Sequence, residues 1–301
     1  MTIFMYIFCL IVWGLNFIAV KIQGTPVSLE LSLTYRLVMT AFLFLILICF
    51  LRPRGMPTKK DILFVMIFGI CNFALSYLCL YYATILSSAA IVTLIFSLKV
   101  ILTPIALRIF LREKLQSRVL VGGILGVLGV CILIYPNLNG FQGFNDIKGI
   151  MVAILGTVLT AIGDASSARN ANNKVNPIYA NAIGFTVGSI LLGGIVLFQG
   201  GKVTFPTSFS YVSMLLYLTL FASFVAWLFY LKLVEKIGGA RSGYMVALFP
   251  LIGGISSVLI GESDPSPYLF IGCFSSCIGA AIALGFRTQK QDSKLTLKRV
   301  N

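Results

Sequence analysis

"SSAAIVTLIFSLKVILTPIALRIF" (Ser87 to Phe110) holds twenty-four residues with two charges, Lys99 and Arg108. As a helix rising 1.5 Å per residue, such a run spans the ~30 Å hydrocarbon core of a bilayer. Going back from Lys99, the nearest charged residue is Asp61. Neither face of such a helix could meet water, so the segment reads as a membrane span. A lysine at its centre costs from ~3 to over ~10 kcal/mol, depending on what surrounds it. Lys99 is therefore hidden, paired or used.

The whole chain repeats that pattern. Of its 301 residues 58% are hydrophobic and 11% charged, and the mean hydropathy is +0.99. Soluble domains carry about 25% charged residues, so this chain could not cover a water-facing surface. Only Met1 and Thr2 precede the first apolar run, with no basic region and no small-residue cleavage site. That run is expected to stay as a membrane helix. With no histidine in the chain, histidine-based catalysis and histidine-ligated metals are excluded. The seven cysteines all fall in apolar runs without a CxxC pair and read as small buried hydrophobes. No cofactor is expected, and the absence of a Walker motif argues against ATP as the energy source.

Ten apolar runs of about 20 residues are readable: 2–22, 31–51, 61–82, 87–110, 117–135, 147–168, 177–199, 209–232, 240–260 and 266–286. None alternates as a membrane β-strand would. One set of connections and the C-terminal tail hold eighteen lysines and arginines; the other set holds Lys21, Lys148 and Lys202. By the positive-inside rule both termini face the cytoplasm. The net charge of +14 is thus a topology signal and an attraction to anionic lipid. No nucleic-acid partner is expected.

The halves resemble each other. "WGLNFIAVK" (13–21) aligns with "AIGDASSAR" (161–169), so that Asn16 matches Asp164. Tyr81 to Glu113 aligns with Tyr230 to Glu262. Five spans per half is an odd number, so consecutive halves insert in opposite orientation. Inverted repeats are a recurring plan of secondary transporters, with the substrate site near the midplane. The expected architecture is all-α: ten transmembrane helices as two inverted five-helix repeats, residues 1–140 and 141–286, followed by a basic cytoplasmic tail, 287–301.

"WGLNFIAVK", "TYRLVMTAFLFL", "YATILSSAAIVTLIFSLKVILTPIALRIFLREKL" and "YLKLVEKIGGARSGYMVALFPLIGGISSVLIGE" together resemble the drug/metabolite transporter superfamily, EamA type, over residues 2–286. The resemblance implies a central cavity lined by helices 1–4 and 6–9, peripheral helices 5 and 10, and transport of amino acids, other metabolites or toxic compounds. This chain departs from the family at one point. Pro250 stands twelve residues before Glu262, but the matching position of the first half is Ile101, with the proline moved to Pro104 and Lys99 just upstream.

Several residues are candidates for the substrate or coupling site. Lys99 suits a substrate carboxylate or phosphate, or, if desolvated, proton coupling. It equally suits a structural role, pairing with a carboxylate or with the Val100 carbonyl that Pro104 cannot bond. Asp164 is the only carboxylate clearly within a span and suits a proton, a cation or a substrate ammonium, or an ion pair with Arg169 or Lys99. Arg36, inside span two, suits anchoring or substrate contact. Asn16, Tyr81 and Tyr230 occupy repeat-matched positions, while Trp13, Tyr35, Tyr77, Trp227 and Tyr244 could line a cavity or merely pack. Glu113 and Glu262 are expected to cap helix ends. Gly122 and Gly126, and the stripe Ser275, Gly279 and Ala283, read as small-residue packing faces, between helices or in a homodimer.

The expected function is secondary active transport of a small organic metabolite, an amino acid or amino-acid-like compound first, by alternating access in a bacterial cytoplasmic membrane. An uncoupled facilitator, a channel or an exporter of drug-like compounds is the alternative. A membrane-embedded enzyme would need convergent carboxylates or a histidine, and no such cluster is visible.

Overall fold

In a computed structural model of the chain, residues 2–112, 117–138, 144–238, 242–261 and 264–284 are described. Every element among them is helical. We label them α1 (Thr2–Gln23), α2 (Leu29–Leu51), α3 (Lys59–Leu86), α4 (Ala89–Leu111), α5 (Ser117–Leu138), α6 (Phe144–Asn172), α7 (Pro177–Phe198), α8 (Phe209–Ile237), α9 (a 3-10 stretch Gly243–Leu248 running into Phe249–Leu259) and α10 (Pro267–Leu284). Seven segments among the described residues are long and apolar enough to cross a membrane: α1 to α4, Ile147–Asn172 of α6, α7 and α8.

Polar residues fix where these apolar helices begin. Ser28 accepts from the Leu31 N–H ahead of α2, and Ser88 from the Ile91 N–H ahead of α4. Thr58 and Asp61 form a capping box at the start of α3, and Asn176 accepts from the Ile178 N–H with Pro177 as the first residue of α7. Each cap supplies an acceptor to an N–H that the helix itself leaves unpaired. Outward-facing positions are apolar: Phe42, Phe50, Ile190 and Phe198 are among the most exposed side chains. Water would penalise that surface and a bilayer accommodates it.

Contact between helices depends on small residues. A Cβ on Gly69 of α3 would sit 2.4 Å from the Gly184 Cα of α7, so the two backbones touch. The stripes of α5 and α10 face one another: a Cβ on Gly279 would meet the Gly122 oxygen at 2.5 Å, and one on Gly129 the Gly272 oxygen at 2.7 Å. These stripes are used within the chain.

Among the described residues five helices depart from regular α geometry along their length, α9 by its change from 3-10 to α after Leu248. α1 is interrupted at Leu15 and α4 at Leu98. α3 runs through a π-helical stretch, Ile70–Leu75, and α8 through another, Tyr217–Val225. The break in α4 lies six residues before Pro104, which sits inside the regular helix Lys99–Leu111. Leu98 is where the chain changes register, and Lys99 opens the second segment.

The cysteines divide. Cys9 and Cys273 are buried, as expected, but Cys49 and Cys131 are exposed on the outer surface, because an apolar run in a bilayer has a lipid-facing side as well as a core side. Glu113, Glu262, the Tyr244 side chain and the tail from 287 lie outside the described residues.

Candidate functional site

Residues beside these irregular stretches line a partly open cavity of about 40 Å³, room for a few water molecules. It is walled by Trp13, Asn16 and Phe17 of α1, Tyr77 and Tyr81 of α3, Phe96 and Lys99 of α4, Thr160 of α6, Trp227 of α8 and Phe249 of α9. The lining is aromatic and apolar with a few polar groups, as expected of a small-molecule site. Both tryptophans of the chain belong to it.

The interruptions also feed the site with hydrogen bonds. The indole of Trp13 donates to the Ala222 carbonyl (2.7 Å), within the π stretch of α8, and the Cys9 thiol donates to the Ala226 carbonyl just beyond it. A π turn shifts the backbone ladder, and here side chains of α1 bind carbonyls in and beside it. The Trp227 indole donates to the Tyr77 hydroxyl at 2.5 Å. The rings of Trp13, Trp227 and Tyr230 meet with centroids 5.1–5.4 Å apart.

Two charged groups flank the cavity. On one side Lys99 Nζ lies 2.9 Å from Asp164 Oδ2, and the two side chains are 3% and 2% exposed. The same oxygen accepts from the Thr103 hydroxyl (3.2 Å) and, more loosely, the Tyr230 hydroxyl (3.4 Å). Asp164 Oδ1 is buried without a hydrogen-bond partner. The Lys99 ammonium also sits 5.4 Å from the ring centroids of both Phe96 and Tyr230. Of the sequence alternatives for Lys99, pairing with a carboxylate is the one realised, and its partner is the one span carboxylate singled out. Arg169 pairs instead with Asp61 at 3.3 Å, with Asn173 donating to the same carboxylate.

On the other side Arg36, 1% exposed, is held entirely by neutral groups. Its Nε donates to Ser223 Oγ (2.8 Å), one terminal nitrogen to the Tyr81 hydroxyl (3.2 Å) and the other to Asn16 Oδ1 (3.2 Å). Its Cζ lies 4.5 Å from the centroid of the Tyr77 ring.

Of the sequence candidates, Trp13, Asn16, Tyr77, Tyr81, Lys99 and Trp227 line the cavity, and Arg36, Asp164 and Tyr230 stand one layer behind. Tyr35 does not join them: its hydroxyl donates to the Thr204 carbonyl in an exposed setting. Thr103, Thr160, Ser223, Phe17, Phe96 and Phe249 were not singled out by sequence. Serine, threonine and phenylalanine are too frequent in apolar helices to stand out, and only spacing from Lys99 and Asp164 (Phe96 and Thr160, each within one turn) hinted at two of them.

A model of the EamA-like transporter family matches residues 1–135 and 147–285. An uncharacterized transporter of Archaeoglobus fulgidus is 25% identical over 259 residues, covering 83% of this chain and 87% of that one. The uncharacterized transporter YetK of Bacillus subtilis is 27% identical over 280 residues, covering 90% and 81%. A crystal structure superposes with a TM-score of 0.70 at 17% identity, covering 100% of this chain and 98% of that one, which is a likeness of fold alone.

Proposed function

Because the chain belongs to the EamA-like transporter family and is a multi-pass membrane transporter, we propose that it is a secondary carrier working by alternating access. Its cargo is a small organic metabolite, an amino acid or amino-acid-like compound first. The observation that carries this reading is the aromatic cavity built from both halves of the chain, with a buried Lys99–Asp164 pair at its wall. Ionisable groups inside a membrane are costly and mark substrate or ion pathways. A family of transporters also points away from an enzyme.

The finer architecture is part of the same proposal: ten spans, forming two inverted halves, 1–140 and 141–286. The two separate family matches support it. So does the irregular geometry. The π stretches Ile70–Leu75 and Tyr217–Val225 fall at matching repeat positions, and the breaks at Leu98 and Leu248 fall within one residue of matching. Helices that bend at matching places let two similar halves exchange conformations. Both termini are assigned to the cytoplasm of a bacterial cell by the charge split. Asp164, with one oxygen unpartnered, is the proposed acceptor for a coupling proton. A homodimer, if formed, would use lipid-facing surfaces, since the small-residue stripes of α5 and α10 are occupied by each other.

The test is counterflow. Proteoliposomes preloaded with the twenty amino acids are given each labelled amino acid in turn outside. A carrier accumulates its labelled substrate transiently above equilibrium. No counterflow with any of the twenty would contradict the amino-acid reading, and non-saturating flux of a solute without counterflow would contradict a carrier.

A further inference from the structure

The two repeat-matched pairs build similar constellations around two different cations, and they differ in one group. Asp164 and Tyr230 surround Lys99; Asn16 and Tyr81 surround Arg36. Asn16 matches Asp164, and Tyr81 matches Tyr230, in the internal alignment. Where one constellation has a carboxylate, the other has an amide. Lys99 is therefore neutralised, whereas Arg36 has only neutral hydrogen-bond partners and no ion-pair partner among the described residues.

We propose that the Arg36 constellation is the anion subsite of the transport cavity: the cargo carries a carboxylate, held by Asn16 and Tyr81 with the guanidinium charge behind them. The inference rests on the carrier reading and adds to it which charge meets the cargo.

Donor arithmetic points the same way. A guanidinium only donates, so Arg36 must meet Asn16 and Tyr81 through their oxygens. That orients both side chains. The Asn16 amide nitrogen is turned away from Arg36 with two N–H groups, and no bond from it is formed among the described residues. The Tyr81 proton likewise has no acceptor among the described residues. Both side chains line the cavity. Arg36 thus fixes two polarised donors on the cavity wall, and three of its own five N–H groups are spent doing so.

Charge balance agrees. Lys99 and Asp164 cancel, which leaves the positive charge of Arg36 beside the cavity. An uncompensated buried charge is strongly unfavourable, and the Tyr77 ring 4.5 Å from the guanidinium carbon offsets only part of it. A carboxylate with two oxygens completes the balance and matches two donor groups. It can do so without opening the Lys99–Asp164 pair.

Both tryptophans line the cavity, so intrinsic fluorescence excited selectively at the indoles reports its occupancy. Purified protein is titrated with four acid–amide pairs: leucine and leucinamide, phenylalanine and phenylalaninamide, 4-methylpentanoate and its amide, phenylacetate and its amide. The acids are expected to perturb the fluorescence at concentrations about tenfold or more below their amides. Asn16→Asp recreates the Asp164 arrangement beside Arg36. It should keep or raise the melting temperature and abolish the preference for acids. Tyr81→Phe, which keeps the ring and removes the donor, should weaken acid binding about tenfold and leave amide binding unchanged. Acids and amides acting alike would overturn the proposal and leave the carrier reading intact, as would acid preference surviving in Asn16→Asp. No response to any of the eight compounds would count against both.

Discussion

Removing the Lys99 ammonium alone should damage the fold far more than removing it together with the Asp164 carboxylate. At 2.9 Å, two unit charges attract by about 6 kcal/mol at an effective dielectric constant of ~20. Taking each ion out of water costs several kcal/mol, so the intact pair contributes little net stability. Lys99→Met leaves the Asp164 carboxylate buried with only the Thr103 and Tyr230 hydroxyls as donors. Such one-sided removals cost about 3–5 kcal/mol. Lys99→Met combined with Asp164→Leu removes both charges and should fall within about 1 kcal/mol of wild type, on either side, or be more stable. The assay is chemical unfolding of four proteins in detergent: wild type, each single variant and the double. The expected cycle shows the double variant recovering most of what either single variant loses. If the double variant loses the sum of the two singles, the pair is not energetically coupled and the reasoning fails. The same proteins report function: the double variant should be folded yet unable to transport. Wild-type flux in Lys99→Ala would refute any role for the lysine in moving cargo.

Further outcomes follow from the packing and the charge split. Gly69→Ala places a Cβ against the Gly184 backbone and should cost about 1–3 kcal/mol by forcing α3 from α7; an unchanged melting temperature contradicts so close an approach. Gly279→Leu should separate α10 from α5 in the same way, and the expected readout is a lower melting temperature. If the basic tail lies in the cytoplasm as proposed, a fluorescent protein fused after Asn301 should fluoresce in a bacterial host and alkaline phosphatase at the same place should be inactive; the reverse pattern overturns the orientation.

Much of this fold is written in composition. Runs such as Ser87 to Phe110 admit one environment, and the starts of α2 and α3 fall within two residues of the boundaries read from sequence, since apolar length and capping residues are local signals. The candidate site was legible in part for a related reason. Lys99, Asp164 and Arg36 are conspicuous because charge is rare in these runs, and Asn16, Tyr81 and Tyr230 through the internal repeat. Their partnerships were not legible. Lys99 and Asp164 lie sixty-five residues apart, and nothing local distinguishes that pairing from Asp164 with Arg169. The π stretches left no trace either, because a change of backbone register has no residue signature of its own. The break of α4 at Leu98 left no trace in the sequence for the same reason, while Pro104 sits within the regular helix that follows it. Tyr35 looked like its neighbours in sequence and differs only in the side it faces.

Alternating access requires that one cavity, the one beside Lys99, opens to each side of the membrane in turn. Thr160 lines that cavity. With the seven native cysteines replaced, Thr160→Cys in membrane vesicles of defined orientation can be challenged with a membrane-impermeant thiol reagent from either face. Alternating access predicts modification from the outside and, in separate vesicles, from the inside. A cysteine there that is never reached from one of the two faces would contradict it.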